Sequence, residues 1–181
     1  MQEVIVLVEG QTEERFIKQI VAPSLHGLRI YLKPQLVSTS PTGRGGALTI
    51  DRFLRHARNT LRQKPQAVLS SFIDLYALDT DFPRFHESRD VGNVYQRVEL
   101  LEQALHALVV QQALCRTDRF VPHIQPHEFE GLLFANVDAL ASTEPTWAKA
   151  LSHLRKVRSA FESPEHINDG YETKPSKRLE N

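Results

Sequence analysis

Two carboxylates stand where an α/β protein commonly keeps its chemistry. Glu9 ends the apolar run Val4-Ile5-Val6-Leu7-Val8, and Asp74 ends Ala67-Val68-Leu69-Ser70-Ser71-Phe72-Ile73. Both runs are continuous and rich in β-branched residues, as in strands buried on both faces of a parallel sheet. Ligands of open parallel sheets bind beyond the carboxyl ends of the strands. If the two runs are neighbours, their carboxylates meet in one crevice and repel. Protonating one of them, or placing a cation between them, relieves the repulsion. A hard divalent ion such as Mg²⁺ or Mn²⁺ suits these oxygen donors. For either acid alone a helix cap, an arginine partner or a loop hydrogen bond is the simpler role; the pair at two strand ends tips the reading toward a metal.

Further candidates follow along the chain. His127, Glu128 and Glu130 lie just after Pro126, in what reads as the first turn of a helix. Acidic residues are common there for dipole reasons alone, which is the simpler reading of Glu128. His127 and Glu130 are the better ligand candidates, and a histidine with a carboxylate suits Mn²⁺ as well as Mg²⁺. Arg52, Arg55, Arg58 and Arg62 share one face of a helical pattern, with Arg44 in the loop before it. Such a stripe can track a nucleic-acid backbone, although most stripes of this kind are solvated faces. The Gly43-Arg44-Gly45-Gly46 loop could cradle a phosphate, but no Gly-Lys-Ser/Thr follows it, and a surface loop is the plainer reading. Cys115 has no histidine at catalytic spacing.

The elements that must hold these residues alternate. After the first strand, Gly10 breaks the run and Thr12 is placed to cap a helix with the stripe Phe16, Ile17, Ile20, Val21. A strand interrupted at Pro34 follows, over residues 28–38. Helical patterns cover 48–62 and 94–114, and 120–125 reads as a short strand. A helix starts near Pro126 and another covers 147–161. Strand and helix alternate, which predicts an α/β sheet with right-handed crossovers. Residues 1–162 form the expected domain, and 163–181 read as a polar tail without a buried pattern.

The composition narrows the function. At 181 residues the chain can bury a sizeable core. Lys plus Arg and Asp plus Glu number 22 each, so whole-chain charge gives no case for nucleic-acid binding and only a local basic face could. A single cysteine excludes an intrachain disulfide and, with no secretory leader in view, points to a reducing cytoplasm. No segment has the ~20 apolar residues of a membrane span.

VEGQTEERF, residues 8–16, resembles the first motif of the Toprim fold, and SFIDLYALDTDFP, residues 71–83, resembles its second, aspartate-bearing motif. The fuller resemblance is to the bacterial domain-of-unknown-function family 4276, regarded as Toprim-like. It rests on the same two motifs, on Gly45-Gly46, on His127-Glu128-Phe129-Glu130 and on Pro175-Ser176-Lys177-Arg178, in order along nearly the whole chain. The resemblance implies a Toprim-like (Rossmann-like), mostly parallel sheet flanked by helices, and a Mg²⁺- or Mn²⁺-dependent nuclease acting on DNA or RNA. Glu9 would be the acid–base or metal-binding glutamate and Asp74 the first metal-binding aspartate. Lys177 would join the catalytic set, and Arg178, with Arg44, Arg52 and Arg55, would contact nucleic acid. Where the Toprim pattern has Asp-x-Asp, this chain reads Asp74-Leu75-Tyr76, which leaves Asp79, Asp81 or Glu130 to supply the second charge. The resemblance further implies a partner ATPase, in anti-phage defence, and a family sequence that continues past the Pro-Ser-Lys-Arg block, so that the tail reads as truncated. The rival expectation is a non-catalytic interaction module serving that ATPase, with a degenerate metal site.

Overall fold

A computed structural model describes residues 1–37, 48–167 and 174–180. Its sheet contains β1 (Gln2–Val8), β2 (Ile30–Leu36), β3 (Val68–Asp74), β4 (Phe120–Val121) and β5 (Ile124–Gln125). The order is β2-β1-β3-β4, with β5 also pairing β3. Every pairing along that path is parallel. Parallel neighbours need crossovers, and helices occupy them: α1 (Gln11–Phe16) and α2 (Ala22–Leu25), then α3 (Ile50–Gln63), α4 (Phe85–Ser88) and α5 (Val94–Ala113). The chain therefore has the expected α/β class, a mostly parallel sheet flanked by helices.

The chain divides into two compact units: 1–73 with 77–124, and 74–76 with 125–181. In the first unit Ile5, Val6, Leu7 and Val8 are all buried, as the uninterrupted apolar run requires. Phe53 of α3 is fully buried, with ring centroids 6.2 Å from Phe82 and 6.1 Å from Phe120. Each fully buried side chain of this size contributes roughly 1.5–3 kcal/mol. Helix α5 buries Val98, Leu101, Leu105 and Val109, and Asn93 caps it by accepting from the N–H groups of Tyr95 and Gln96.

Local expectations are corrected in several places. Thr12 does not cap the first helix: Gly10 holds the N-cap position without a side-chain bond. A π-helical turn, Ile17–Val21, separates α1 from α2 and shifts the phase of the apolar stripe, so Ile17 is buried while Ile20 is 61% exposed. Pro34 does not interrupt β2. This strand borders the sheet among the described residues, and Val37 N–H donates to Val8 at 2.8 Å. By strand alternation, position 34 turns its missing N–H away from β1, where proline is tolerated. Pro122 and His123 split the segment expected as one strand into β4 and β5.

The second unit has its own core of Phe134, Val137, Leu140, Leu154, Val157 and Ile167. Here the helix expected from Pro126 is a 3₁₀ stretch, Phe129–Asn136, followed by α6 (Val137–Thr143) and α7 (Pro145–Ser159). The tail is not bare polar chain. Ile167 is fully buried, and α8 (Pro175–Glu180) brings Leu179 against the same core.

Candidate functional site

The register settles how β1 and β3 end. They are hydrogen-bonded parallel neighbours, with Val8 paired to Phe72 as the last of their register partners. Glu9 comes one residue after Val8, and Asp74 comes two after Phe72. Glu9 is half-buried at the bend before Gly10. The carboxylate of Glu13 folds back there, and its Oε2 lies 2.5 Å from where a Cβ on residue 10 would stand. Gly10 has an ordinary extended backbone, and a Cβ there would only push the flexible Glu13 carboxylate aside. Glu13 is thus a second acid, beside Glu9, at this strand end.

Asp74 ends β3 half-buried, with its Oδ1 shielded from solvent. The chain then turns through a 3₁₀ segment, Leu75–Ala77. Tyr76 N–H donates to the carbonyl of His127 at 3.1 Å, and the two rings lie 5.7 Å apart. His127 takes the left-handed conformation, φ 61°. Histidine is among the non-glycine residues that tolerate this region, at some strain. Asp74, Tyr76 and His127 thus belong to one compact unit, with Glu130 half-buried in the first turn of the 3₁₀ stretch.

The other acids have structural employment. Asp79 Oδ1 accepts from Thr80 N–H at 2.6 Å and from its hydroxyl at 3.2 Å. Asp81 binds the N–H of Ile50, the first residue of α3, through both oxygens. Glu128 is the departure from expectation. It is only 7% exposed, and its Oε1 accepts from Lys174 Nζ at 2.7 Å. Its Oε2 accepts from Ser176 Oγ at 2.8 Å and from Ser176 N–H at 3.2 Å. The His-Glu-Phe-Glu and Pro-Ser-Lys-Arg blocks are therefore joined through the glutamate that the sequence assigned to the helix dipole. A lysine and a serine 46 and 48 residues away carry no local signal of this.

Among the basic candidates, Arg52 is half-buried while Arg55, Arg58 and Arg62 are exposed on α3. None of the four enters an ion pair among the described residues. On the same helix, burial and, next, the Arg55 charge hold His56 below the usual histidine range. Arg178 lies over the Phe161 ring, 5.4 Å from its centroid, and Lys177 is half-buried on α8. Arg44 and the Gly45-Gly46 loop lie outside the described residues.

Each of Glu9 and Asp74 offers hard oxygen donors, the kind that Mg²⁺ and Mn²⁺ take. Among the described residues no group of three or more His, Cys, Asp or Glu side chains is gathered to hold a metal. No described helix is long and apolar enough to cross a membrane.

Fold and strand ends together define an α/β protein with acidic residues at the carboxyl edge of a parallel sheet. The family model for the domain of unknown function DUF4276 matches residues 8–181, and the chain belongs to that family. No curated protein and no solved structure matches it.

Proposed function

We propose that this chain is a Toprim-like, metal-dependent nuclease that hydrolyses phosphodiester bonds of DNA or RNA. The observation that carries the reading is the parallel pairing of β1 with β3, which sends two neighbouring strands into Glu9 and Asp74. These two residues would hold the ion, with water and phosphate oxygens completing its shell. Bound Mg²⁺ or Mn²⁺ supplies charge stabilisation to the phosphoryl oxygens and lowers the pKa of a bound water. Glu9 also serves as a general base, Lys177 places a point charge on the phosphate, and Arg52 and Arg55 of α3 hold the backbone. In this reading the partner is an ATPase acting with the nuclease in cytoplasmic anti-phage defence.

A second reading is a non-catalytic module of such an ATPase. It is favoured by Asp79 and Asp81, whose carboxylates are committed to Thr80 and Ile50 and leave the second acidic position of the Toprim pattern unfilled. Glu9→Gln and Asp74→Asn separate the two. On the nuclease reading each variant folds and loses Mn²⁺-stimulated plasmid or RNA cleavage by on the order of 10²–10³-fold. Cleavage that survives in both variants means that the site is misassigned, and a wild-type protein that neither binds Mn²⁺ nor cuts leaves the module.

A further inference from the structure

We propose that Glu128 is a positioning residue for Lys177, fastening α8 so that the lysine ammonium is delivered to the backbone phosphate. The substrate is inherited from the nuclease reading; the fastening stands without it.

A carboxylate this buried is costly unless its charge and its lone pairs are matched. Lys174 Nζ matches the charge, and the hydroxyl and N–H of Ser176 take the other oxygen, all as charge-assisted hydrogen bonds. With both oxygens occupied, Glu128 is an anchor and not a metal ligand. Between the two tethered residues, Pro175 is buried, its Cγ within 3.7 Å of where a Cβ on Gly131 would stand. Beyond Lys177, Arg178 lies over Phe161 and Leu179 packs into the second unit's core. A helix of six residues has little stability of its own, so α8 depends on attachments such as these. They flank Lys177 on both sides and fix the backbone from which its side chain projects. Ordering a long cation beforehand lowers the entropy lost when it engages phosphate. Glu128 therefore acts on phosphate only through the lysine.

The test uses the full chain and the variants Glu128→Ala, Glu128→Gln, Lys177→Ala and Glu128→Ala/Lys177→Ala. Tryptic cleavage after Lys177 and Arg178 is timed by mass spectrometry, with cleavage after Arg55 and Arg58 of α3 as the folding control. We expect Glu128→Ala to speed the C-terminal cuts by about tenfold or more at unchanged α3 cutting, and Glu128→Gln to speed them less. C-terminal cutting unchanged in Glu128→Ala overturns the proposal. In Mn²⁺-dependent cleavage of supercoiled plasmid, Glu128→Ala lowers kcat by roughly 10–100-fold with KM little changed, as loss of a supporting contact does. The double variant is then no slower than Lys177→Ala, because residues acting as one unit are not additive. Additive losses overturn the positioning role. A wild type that does not cut overturns the nuclease reading and Lys177's part in it, while the proteolysis arm still decides whether Glu128 fastens α8.

Discussion

Asp81 grips the N–H of Ile50 with both carboxylate oxygens, at 3.0 and 3.1 Å. Ile50 opens α3, the helix that carries Arg52, Arg55, Arg58 and Arg62. The helix N-cap, Thr49, contributes no side-chain bond, so a carboxylate 31 residues away does the capping and also answers the helix dipole. Asp81→Ala is expected to cost about 1 kcal/mol, the usual worth of a cap, and to lower Tm by roughly 2–4 °C. Mn²⁺ affinity measured by calorimetry should not change. A variant that melts normally but loses metal would return Asp81 to the metal site.

His127 stores strain in contact with Tyr76. Its φ of 61° favours glycine, and for a β-branched residue this region costs about 1–2 kcal/mol. His127→Gly should melt at or above the wild-type temperature, and His127→Val clearly below it. If the imidazole takes part in the chemistry, His127→Gly keeps its stability and loses cleavage. Full activity in His127→Gly would assign the residue to the turn alone.

The arginine face of α3 carries its own reporter. His56 is held below the usual histidine range, first by burial and second by the Arg55 charge. Its neutral form is therefore favoured in the fold, and protonation opposes folding as pH falls below the ordinary histidine value. An oligonucleotide bound along Arg52 and Arg55 brings negative charge to the site. NMR titration of the His56 ring should then show its pKa rising, by less as salt increases. An unchanged pKa in the presence of saturating oligonucleotide would remove α3 from the interface.

Glu102 supplies a second pH dependence, of opposite sign. Burial raises its pKa, against the lowering effects of the Ile124 N–H at 2.8 Å and of His123 at 3.7 Å, while Glu99 adds to the rise. The folded state thus holds this proton more tightly than the unfolded chain does. Stability is lost as pH rises from the ordinary carboxylate range through the raised value. Glu102→Gln keeps an acceptor for Ile124 and removes the titration. Its Tm should fall less than the wild type's between mildly acidic and neutral pH. Identical profiles would place the dependence elsewhere.

The parts of the fold legible in the sequence are those governed by local pattern. The unbroken apolar runs ending at Val8 and Ile73 became β1 and β3, and the stripe Val98, Leu101, Leu105, Val109 became the buried face of α5. The parts that escaped depend on distant partners or on phase. Lys174 and Ser176 look solvated until Glu128 is brought to them across the second unit. Ile20 fits a helical stripe until the π turn rotates it outward. Phe129–Asn136 holds a short apolar run that pattern cannot divide between α and 3₁₀ geometry. Among the candidates, Glu9 and Asp74 stand out because each interrupts a strand pattern. The duties of Asp79, Asp81 and Glu128 were not, since a carboxylate that caps or clamps has the same letter as one that binds a metal.

Pro34 bears on how copies of this molecule meet in solution. A bordering strand ordinarily offers a row of donors onto which another chain can dock and extend the ladder. On β2 that row is missing a donor near its middle, at Pro34. A stray strand approaching from outside would meet a break where it needs continuity. The same residue that looked like an interruption of the fold thus works as a guard against fibrous self-assembly.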